Sequence, residues 1–223
     1  MKRFTLLTLF AFSVLFFASC GGNPEGSEAE VTDAAATTEV AGASNYTVDT
    51  AGSLLTWKGS KITGSGHEGT LKLSEGTLKV EGGNLVGGNF TINMNSLDNT
   101  DLKGTEGHAK LLGHLKSDDF FSVATNPTAT FEITGATAKT GDTTATHDIS
   151  GNLTIKGITK NLTFPAKVTL ADDKVEATAE FFFDRTLYDI KFNSASFFEK
   201  LGDNAINNEI GIKLSLKASK AAL

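Results

Sequence analysis

Residues 162–183 read LTFPAKVTLADDKVEATAEFFF. Apolar and polar residues alternate on both sides of a short acidic turn, Asp172-Asp173. The apolar face carries, before and after that turn, Leu162, Phe164, Ala166, Val168 and Leu170, then Val175, Ala177, Ala179, Phe181 and Phe183. An alternation of period two is typical of strands with one buried and one wet face. The stretch therefore predicts two antiparallel strands joined by a tight turn.

The same alternation recurs along the chain, at residues 86–94, 129–133, 153–155 and 210–218, with shorter runs at 54–58, 71–73 and 78–80. At least eight runs of similar length with turn residues between them predict an all-β fold, either a closed antiparallel barrel or a sandwich. Closure of a barrel removes the exposed strand edges that promote aggregation. Pro165 lacks an N–H, so we expect a bulge or an edge at that position.

One short segment has a helical pattern. Residues 107–116 place Leu111, Leu112 and Leu115 on one stripe, which predicts a short helix. We expect this helix to pack across one end of the barrel.

The composition excludes several classes of protein. The chain has 223 residues, a single Cys and a formal net charge of -6. A single Cys cannot form an internal disulfide framework, a zinc ribbon or a Cys-ligated cluster, and the acidic balance argues against nucleic-acid binding. The four His lack metal-ligand spacing, and no nucleophile motif occurs. We predict no catalytic residue, no metal, no cofactor and no enzymatic activity.

The first nineteen residues predict a targeting signal. Met1-Lys2-Arg3 is followed by an uncharged apolar run, Phe4 to Phe17, which is too short to span a bilayer. Cys20 follows directly after Ala18 and Ser19, and this arrangement resembles a bacterial lipobox. We predict a lipoprotein signal peptide at 1–19 and an acylated Cys20 that anchors the protein to a membrane of the cell envelope, facing the periplasm or the exterior. The alternative is an ordinary secretory signal with an incidental Cys.

Residues 20–45 differ in composition from the rest. They contain five acidic residues, no Lys or Arg, and otherwise mostly small residues without periodicity. Such a composition predicts a flexible acidic linker. The folded domain then covers residues 46–223.

Three segments resemble the YceI-like family. They are GHLKSDDFF at 113–121 with NPTATF at 126–131, ISGNLTIKGITK at 149–160, and DRTLYDI at 184–190. In the third segment Tyr188-Asp189 stands where the family has Phe-Gly. The resemblance covers about residues 46–218 and implies a lipocalin-shaped barrel of about eight strands that holds a polyisoprenoid chain in its lumen.

The predicted lumen contacts are the apolar alternating positions Phe90, Ile92, Met94, Phe131, Ile133, Phe164, Val168, Phe181, Phe183, Ile212 and Leu214. The same positions also suit a packed core. Small residues of the same parity, namely Gly88, Ala129, Ala166, Ala177 and Ala179, favour an open lumen. If the mouth of the barrel holds a polar head group, we expect His67, His114 and Arg185 to contact it.

The sequence thus predicts a membrane-tethered protein that sequesters or transports a polyisoprenoid or similar long-chain lipid. Its expected partners are that lipid and the membrane, without nucleic acid. The alternative is a structural, envelope-protective lipoprotein with a filled barrel and a protein partner.

Overall fold

The computed structural model describes residues 24–38 and 40–221. These residues form eleven strands, one α-helix and two short 3-10 helices. The strands are β1 (Ser27–Glu28), β2 (Glu30–Asp33), β3 (Ser44–Val48), β4 (Leu54–Ser60), β5 (Gly66–Glu81), β6 (Asn84–Asn99), β7 (Thr128–Ala138), β8 (His147–Ile155), β9 (Ile158–Leu170), β10 (Lys174–Asp184) and β11 (Glu209–Lys220). Helix α1 (Glu106–Lys116) follows β6, and the 3-10 helices Arg185–Tyr188 and Gly202–Asn204 follow β10. The predicted signal peptide and Cys20 lie outside the described residues.

Eight strand positions close into an antiparallel barrel. From β5 to β11, each strand pairs with the next one along the chain. The eighth position is shared by β3 and β4, which both lie between β11 and β5. The prediction of a closed antiparallel barrel is confirmed, and the sandwich alternative is excluded because the pairing returns to its starting strand.

The barrel has two ends. The closed end carries the connections at residues 82–83, 139–146 and 171–173. The mouth carries the turns at 61–65 and 156–157, helix α1 with the segment after it, and the mouth loop, residues 185–208, which joins β10 to β11. Since successive strands are antiparallel, these two sets of connections lie at opposite ends.

Side chains fill the lumen at the closed end. Leu78, Val175 and Leu216 are each at most 2% exposed there. The Tyr46 hydroxyl donates a hydrogen bond to the carbonyl oxygen of Asp172 at 3.0 Å, which ties β3 to the turn between β9 and β10. The closed end is therefore a packed core of the ordinary kind.

The helix predicted at residues 107–116 is confirmed, since α1 spans Glu106–Lys116. Glu106 in the first turn and Lys116 in the last turn complement the helix dipole. Leu115 is buried and Leu111 is half-buried, so the apolar stripe faces the barrel. The helix contacts β6 and lies across the mouth, as predicted. Within the described part of the chain, no helix combines the length and the apolar character needed to cross a membrane.

The prediction of a flexible linker over residues 20–45 is wrong for Ser27–Asp33. β1 pairs in parallel with β10, and β2 pairs antiparallel with β9. Between these two strands, Ala29 is only 4% exposed, and its N–H donates to the carbonyl oxygen of Phe182 at 2.9 Å. This segment completes the barrel wall between β9 and β10 near the mouth.

Pro165 explains why β9 accepts an added strand. Direct pairing between β9 and β10 ends at Ala166 and Ala179. The carbonyl oxygen of Ala166 accepts the N–H of Thr146 on the β8 side, at 2.9 Å. By alternation, the backbone of the preceding residue, Pro165, faces β10. Proline has no N–H to donate to that strand. The predicted edge at Pro165 is confirmed: β9 is locally an edge, and the N-terminal segment covers it.

Side chains hold the end of β2 in place. Lys160 donates to the Asp33 carboxylate at 2.8 Å, and this hydrogen bond lowers the pKa of Asp33. The side-chain amide of Asn152 donates to the carbonyl oxygen of Ala35 at 2.8 Å and accepts the Ala35 N–H at 3.0 Å. The N-terminal segment is thus bonded to both β9 and β8.

Candidate lipid-binding cavity

The half of the lumen near the mouth is hollow. It contains a cavity of about 370 Å³, bounded by residues from β4 to β11, from α1 and from the mouth loop. Its walls are mostly Leu, Ile and Phe side chains. Apolar cavities of this kind remain dry and accept apolar ligands, and the volume falls within the range of small-molecule pockets.

A row of phenylalanine rings forms the floor of the cavity. The ring of Phe131 lies 5.2 Å from that of Phe90 and 5.8 Å from that of Phe164, measured between centroids. Phe164 and Phe181 stack at 4.0 Å across the gap that separates β9 from β10. Gly151 makes room for this row, because a Cβ atom there would overlap the Phe131 ring. The rings separate the cavity from the packed core below.

A second aromatic group lies beside the mouth. The His114 ring of α1 packs edge-on against Phe192 at 4.4 Å and against Phe120 at 5.2 Å. All three residues line the cavity, together with Leu111 and Leu115 of the same helix. Aromatic side chains therefore form part of the cavity wall at the mouth.

Nine of the eleven predicted lumen residues line the cavity: Phe90, Ile92, Met94, Phe131, Phe164, Phe181, Phe183, Ile212 and Leu214. The other two do not. Ile133 and Val168 are buried, at 8% and 6% exposed, in the core outside the cavity. Alternation identifies the inner face of a strand but does not tell how deep along the barrel axis a residue lies. Contact of the nine residues with a lipid stays a prediction.

The small residues contribute less space than expected. Ala129 lines the cavity, but Ala166 and Ala179 are not part of its lining and face each other where β9 and β10 pair directly. Gly88 serves the backbone instead: its φ is 146°, and a Cβ atom there would meet the backbone of Thr77 and Leu78. Of these small residues, Ala129 is therefore the one that contributes space to the cavity.

The three predicted polar contacts, His67, His114 and Arg185, all reach the cavity lining. The Arg185 side chain is 2% exposed and donates to three carbonyl oxygens, of Ile190 at 2.6 Å, Asn207 at 3.1 Å and Ile206 at 3.3 Å. Burial lowers the pKa of Arg185 against the opposing effect of nearby carboxylates. Through these hydrogen bonds, Arg185 holds the two ends of the mouth loop together.

His67 belongs to a polar cluster at the mouth. Its Nδ1 lies 2.7 Å from the Asp101 carboxylate, which also accepts the N–H of Glu68 at 3.0 Å and a hydrogen bond from the Asn99 side chain. Partial burial acts to raise the pKa of Asp101, but these hydrogen bonds outweigh it and lower the pKa to about 2. The cluster ties the start of β5 to the segment after β6. His114 makes a similar contact with Asp119, at 2.9 Å.

The Tyr188-Asp189 pair preserves a sharp turn after β10. Asp189 has a φ of 57° and a ψ of 30°, the left-handed conformation that glycine adopts most easily. Tyr188 is fully buried and packs edge-on against Phe183, at 5.5 Å between ring centroids. Its hydroxyl has no hydrogen-bond partner within the described structure, and burial raises its pKa.

Sequence reasoning missed the lining residues that come from loops and from β4, among them Trp57, Phe120, Phe121, Ile190 and Phe192. The Trp57 indole N–H donates to the carbonyl oxygen of Asp98 at 3.2 Å, which fixes the ring in the wall. The usable signal was the concentration of aromatic residues directly after α1 and after the Asp189 turn. Among residues 24–38 and 40–221, no group of His, Cys, Asp or Glu is arranged to hold a metal ion.

A family model described as the YceI-like domain matches residues 46–218. The chain belongs to the YceI-like family. Among curated relatives, a UPF0312 protein of Pseudomonas aeruginosa is 47% identical over 78 residues, which is 35% of this chain and 35% of the relative. Protein YceI of Salmonella newport is 44% identical over 80 residues, which is 36% of each chain. These alignments therefore span about a third of the relatives' length.

Two solved structures share the YceI-like fold. Burkholderia cenocepacia BcnA is 22% identical with a TM-score of 0.59, and the match covers 77% of this chain and 99% of BcnA. A polyisoprenoid binding domain from Saccharophagus degradans, implicated in plant cell wall breakdown, is 17% identical with a TM-score of 0.55 and covers 79% and 98% of the two chains. In this YceI-like chain, Ser27–Asp33 lies before residues 46–218, which the family model matches, and nevertheless forms part of the wall.

Proposed function

We propose that this YceI-like protein binds a polyisoprenoid or a similar long-chain lipid in the cavity, and sequesters or transports it at a membrane to which the protein is tethered. The observation that carries the proposal is the apolar cavity of about 370 Å³ above the phenylalanine floor. The polyisoprenoid binding domain of similar fold supports the choice of ligand class. The proposed function is lipid binding and includes no catalysed reaction.

The energetics of such a ligand favour a membrane location. An isoprene unit has four to five CH₂ equivalents of about 0.8 kcal/mol each, so eight units gain about 25–30 kcal/mol on leaving water. That exceeds the roughly 18–21 kcal/mol at which measured affinities saturate. The ligand is therefore never free in water, and it exchanges with a bilayer that is equally apolar. A protein with this cavity works best beside a membrane.

An acylated Cys20 would provide that location in a bacterial cell envelope. Six residues, 21–26, separate Cys20 from β1. A chain of that length reaches at most about 20–25 Å, which is much shorter than a linker of 25 residues would allow. The tether would hold the mouth half of the barrel, where β1 lies, close to the membrane surface.

A filled barrel with a protein partner is not favoured, because side chains leave the mouth half of the lumen hollow. His67 and His114 lie at the mouth, where a polar head group would remain. A lipid with its tail above the phenylalanine row and its head near these two side chains suits the arrangement of apolar and polar lining.

Native mass spectrometry of the full chain, purified gently in mild detergent, tests the proposal. We expect a co-purified lipid with a hydrocarbon tail. Ala129→Leu adds volume inside the cavity and should reduce the loaded fraction, whereas Ala171→Leu, in an exposed turn, should not. A protein that remains empty in the presence of polyprenol in detergent would exclude the proposal.

The tether is tested separately. Cys20→Ser should remove the acyl mass and lower lipid loading in cells, while loading in detergent stays unchanged. Equal loading of the two proteins in cells would show that the anchor has no part in lipid capture.

A further inference from the structure

We propose that the rim of the mouth is a membrane-docking surface that inserts into the bilayer from which the lipid is taken. This inference rests on the proposed lipid binding. The rim patch consists of four apolar side chains: Ile62, Leu187, Phe197 and Phe198. They are 57%, 38%, 50% and 50% exposed, respectively.

The distribution of exposed apolar residues is uneven. Within the described residues, five large hydrophobic side chains are exposed, and the four of the rim patch all belong to connections at the mouth. The fifth, Leu54, lies at the start of β4 and is 51% exposed. Single exposed apolar residues are normal, but several at one end of a molecule mark an interaction surface.

The aromatic pair is held outward by an ordered loop. The carbonyl oxygen of Ser194 accepts the N–H groups of both Phe197 and Phe198, each at 3.0 Å. The Ser194 hydroxyl is buried and lies 2.7 Å from the Asn208 side-chain oxygen, to which it donates. The two rings therefore protrude from a fixed backbone.

The rim patch is continuous with the opening of the cavity. Phe192 and Asn193 line the cavity, and Phe197 and Phe198 follow a few residues later on the same loop. In the neighbouring turn between β4 and β5, Lys61 lines the cavity and Ile62 is the next residue. The N–H of Ile62 donates to the carbonyl oxygen of Ala205 at 3.1 Å, which joins the turn to the mouth loop. A lipid tail that enters the cavity must pass this rim.

The charges around the rim suit a lipid surface. In the two connections that carry the rim patch, residues 61–65 and 185–208, Lys61, Lys191 and Lys200 are accompanied by the acidic residues Asp189, Glu199 and Asp203, so the formal charges outside the core balance. The remaining charged residue, Arg185, is buried. The Lys191 ammonium lies 2.6 Å from the Asp189 carboxylate and 4.9 Å from the centre of the Phe197 ring. Aromatic rings beside long basic side chains are the usual composition of a membrane interface. Because the charges balance, insertion should depend little on salt.

A bilayer fits this surface better than a second copy of the chain. Four side chains fall far short of the roughly 800 Å² per partner that a stable protein interface buries. Insertion of the rim into a bilayer also lets the lipid tail move from membrane to cavity without crossing water. The occupant of the rim patch is therefore the lipid surface itself.

The first experiment measures lipid extraction. The assay measures the rate at which the full chain takes labelled polyprenol from vesicles of phosphatidylethanolamine and phosphatidylglycerol. The test protein is the double variant Phe197→Ser/Phe198→Ser. The control is Leu54→Ser, which removes an equally exposed side chain away from the mouth. Because every arm is the full chain, any anchoring by residues 1–23 is common to all. We expect the double variant to extract the lipid about tenfold more slowly, because two half-exposed aromatic side chains no longer insert into the bilayer. Leu54→Ser should extract at the original rate, and high salt should change neither rate.

Loading from detergent separates the two proposals. If no protein takes up polyprenol in detergent, the proposed function fails. If the double variant loads normally in detergent and also extracts at the original rate from vesicles, the docking surface is wrong. If the original chain were a dimer and the double variant a monomer, and both extracted the lipid at the same rate, the rim patch would be assigned to self-association instead.

Insertion is measured directly with a second pair of variants. Phe198→Trp and Leu54→Trp each add one indole to a chain whose natural tryptophan is Trp57. Brominated lipids should quench the added fluorescence of Phe198→Trp and leave that of Leu54→Trp unchanged. Equal quenching of both variants would exclude an oriented insertion of the rim.

Discussion

The two ends of the barrel join their strands with different residues. At the closed end, the residues with positive φ are glycines, among them Gly42, Gly82, Gly83 and Gly141. The mouth has such glycines too, but it also contains every non-glycine residue with positive φ in the described structure, namely Ser122, Lys156, Asp189, Asn193 and Lys200. Strained backbone of this kind persists only where surrounding contacts impose it, and it concentrates at functional sites. Because non-glycine residues adopt this conformation rarely, the backbone of the mouth departs further from ordinary preferences than that of the closed end.

The barrel wall is also built differently at the two ends. Toward the closed end, β9 and β10 pair directly through five residue pairs, and side chains fill the lumen. Toward the mouth, Pro165 ends that pairing, and the N-terminal segment, α1 and the mouth loop complete the enclosure. The cavity lies in the half of the barrel where added segments complete a wall that the strands β4 to β11 mostly form. Hollow and packed halves thus coexist because the barrel is built in two ways.

The largest effect is expected where the N-terminal segment enters the wall. Ala29→Asp places a charge at a position that is 4% exposed and belongs to the hydrophobic core. Since a buried unpaired charge is strongly unfavourable, we expect the free energy of unfolding to fall by about 3 kcal/mol. Urea denaturation followed by circular dichroism measures this change.

Thr32→Asp is the matched control, because it adds the same charge to the exposed side of the same segment. Its effect should remain within about 0.5 kcal/mol. If Ala29→Asp were as harmless as Thr32→Asp, residues 27–33 would not be part of the barrel wall, and the contrast between the two ends would disappear.

A smaller effect is expected at the floor that divides the two halves. Gly151→Ala places a methyl group against the Phe131 ring, so the ring must move toward the cavity. We expect the free energy of unfolding to fall by about 1–3 kcal/mol and lipid loading in detergent to decrease. Gly135→Ala, in the paired strand, meets its nearest atom at 3.9 Å and should change neither quantity. Unchanged loading in Gly151→Ala would show that the Phe131 ring does not bound the space that the lipid occupies.

The sequence predicted the barrel strands and the helix better than the way in which loops and the N-terminal segment complete the mouth. Alternation identified the barrel strands, and the stripe of Leu111 and Leu115 identified α1. Alternation could not place Ile133 and Val168 outside the cavity, because a period of two encodes the face of a strand and not its height. It also could not reveal the N-terminal strands: Ala29 and Val31 are too few to form a pattern, and their pairing depends on the free edge that Pro165 creates on β9.

Acid should weaken the mouth cluster. The pKa of Asp101 is about 2 in the folded protein, below its ordinary value. A depressed carboxyl pKa stabilises the fold above the unfolded-state pKa, and this contribution is lost as the pH falls from about 4 toward 2. Because Asp101 is 32% exposed, solvent screening reduces the contribution to about 1 kcal/mol.

Asp101→Asn should therefore reduce stability at pH 6 by about that amount and flatten the loss of stability between pH 4 and 2. Urea titrations of both proteins at a series of pH values measure the difference. If the two curves ran parallel down to pH 2, the hydrogen bonds of Asp101 at the mouth would contribute nothing to the acid sensitivity of the protein.

The smallest effect concerns the strain itself. Asp189 holds a left-handed conformation that glycine adopts without penalty, and its exposed ion pair with Lys191 contributes little. We expect Asp189→Gly to raise the free energy of unfolding by about 0.5 kcal/mol. Asp189→Ala loses the same ion pair but retains a Cβ atom, so it should lower stability by a similar amount. The hydrogen bond from Lys156 to the Asp189 carbonyl oxygen, at 3.1 Å, remains in both variants. The difference between the unfolding free energies of these two variants in urea isolates the backbone strain. If the two variants were equally stable, this turn would store no strain. The mouth would then differ from the closed end only in how its wall is built.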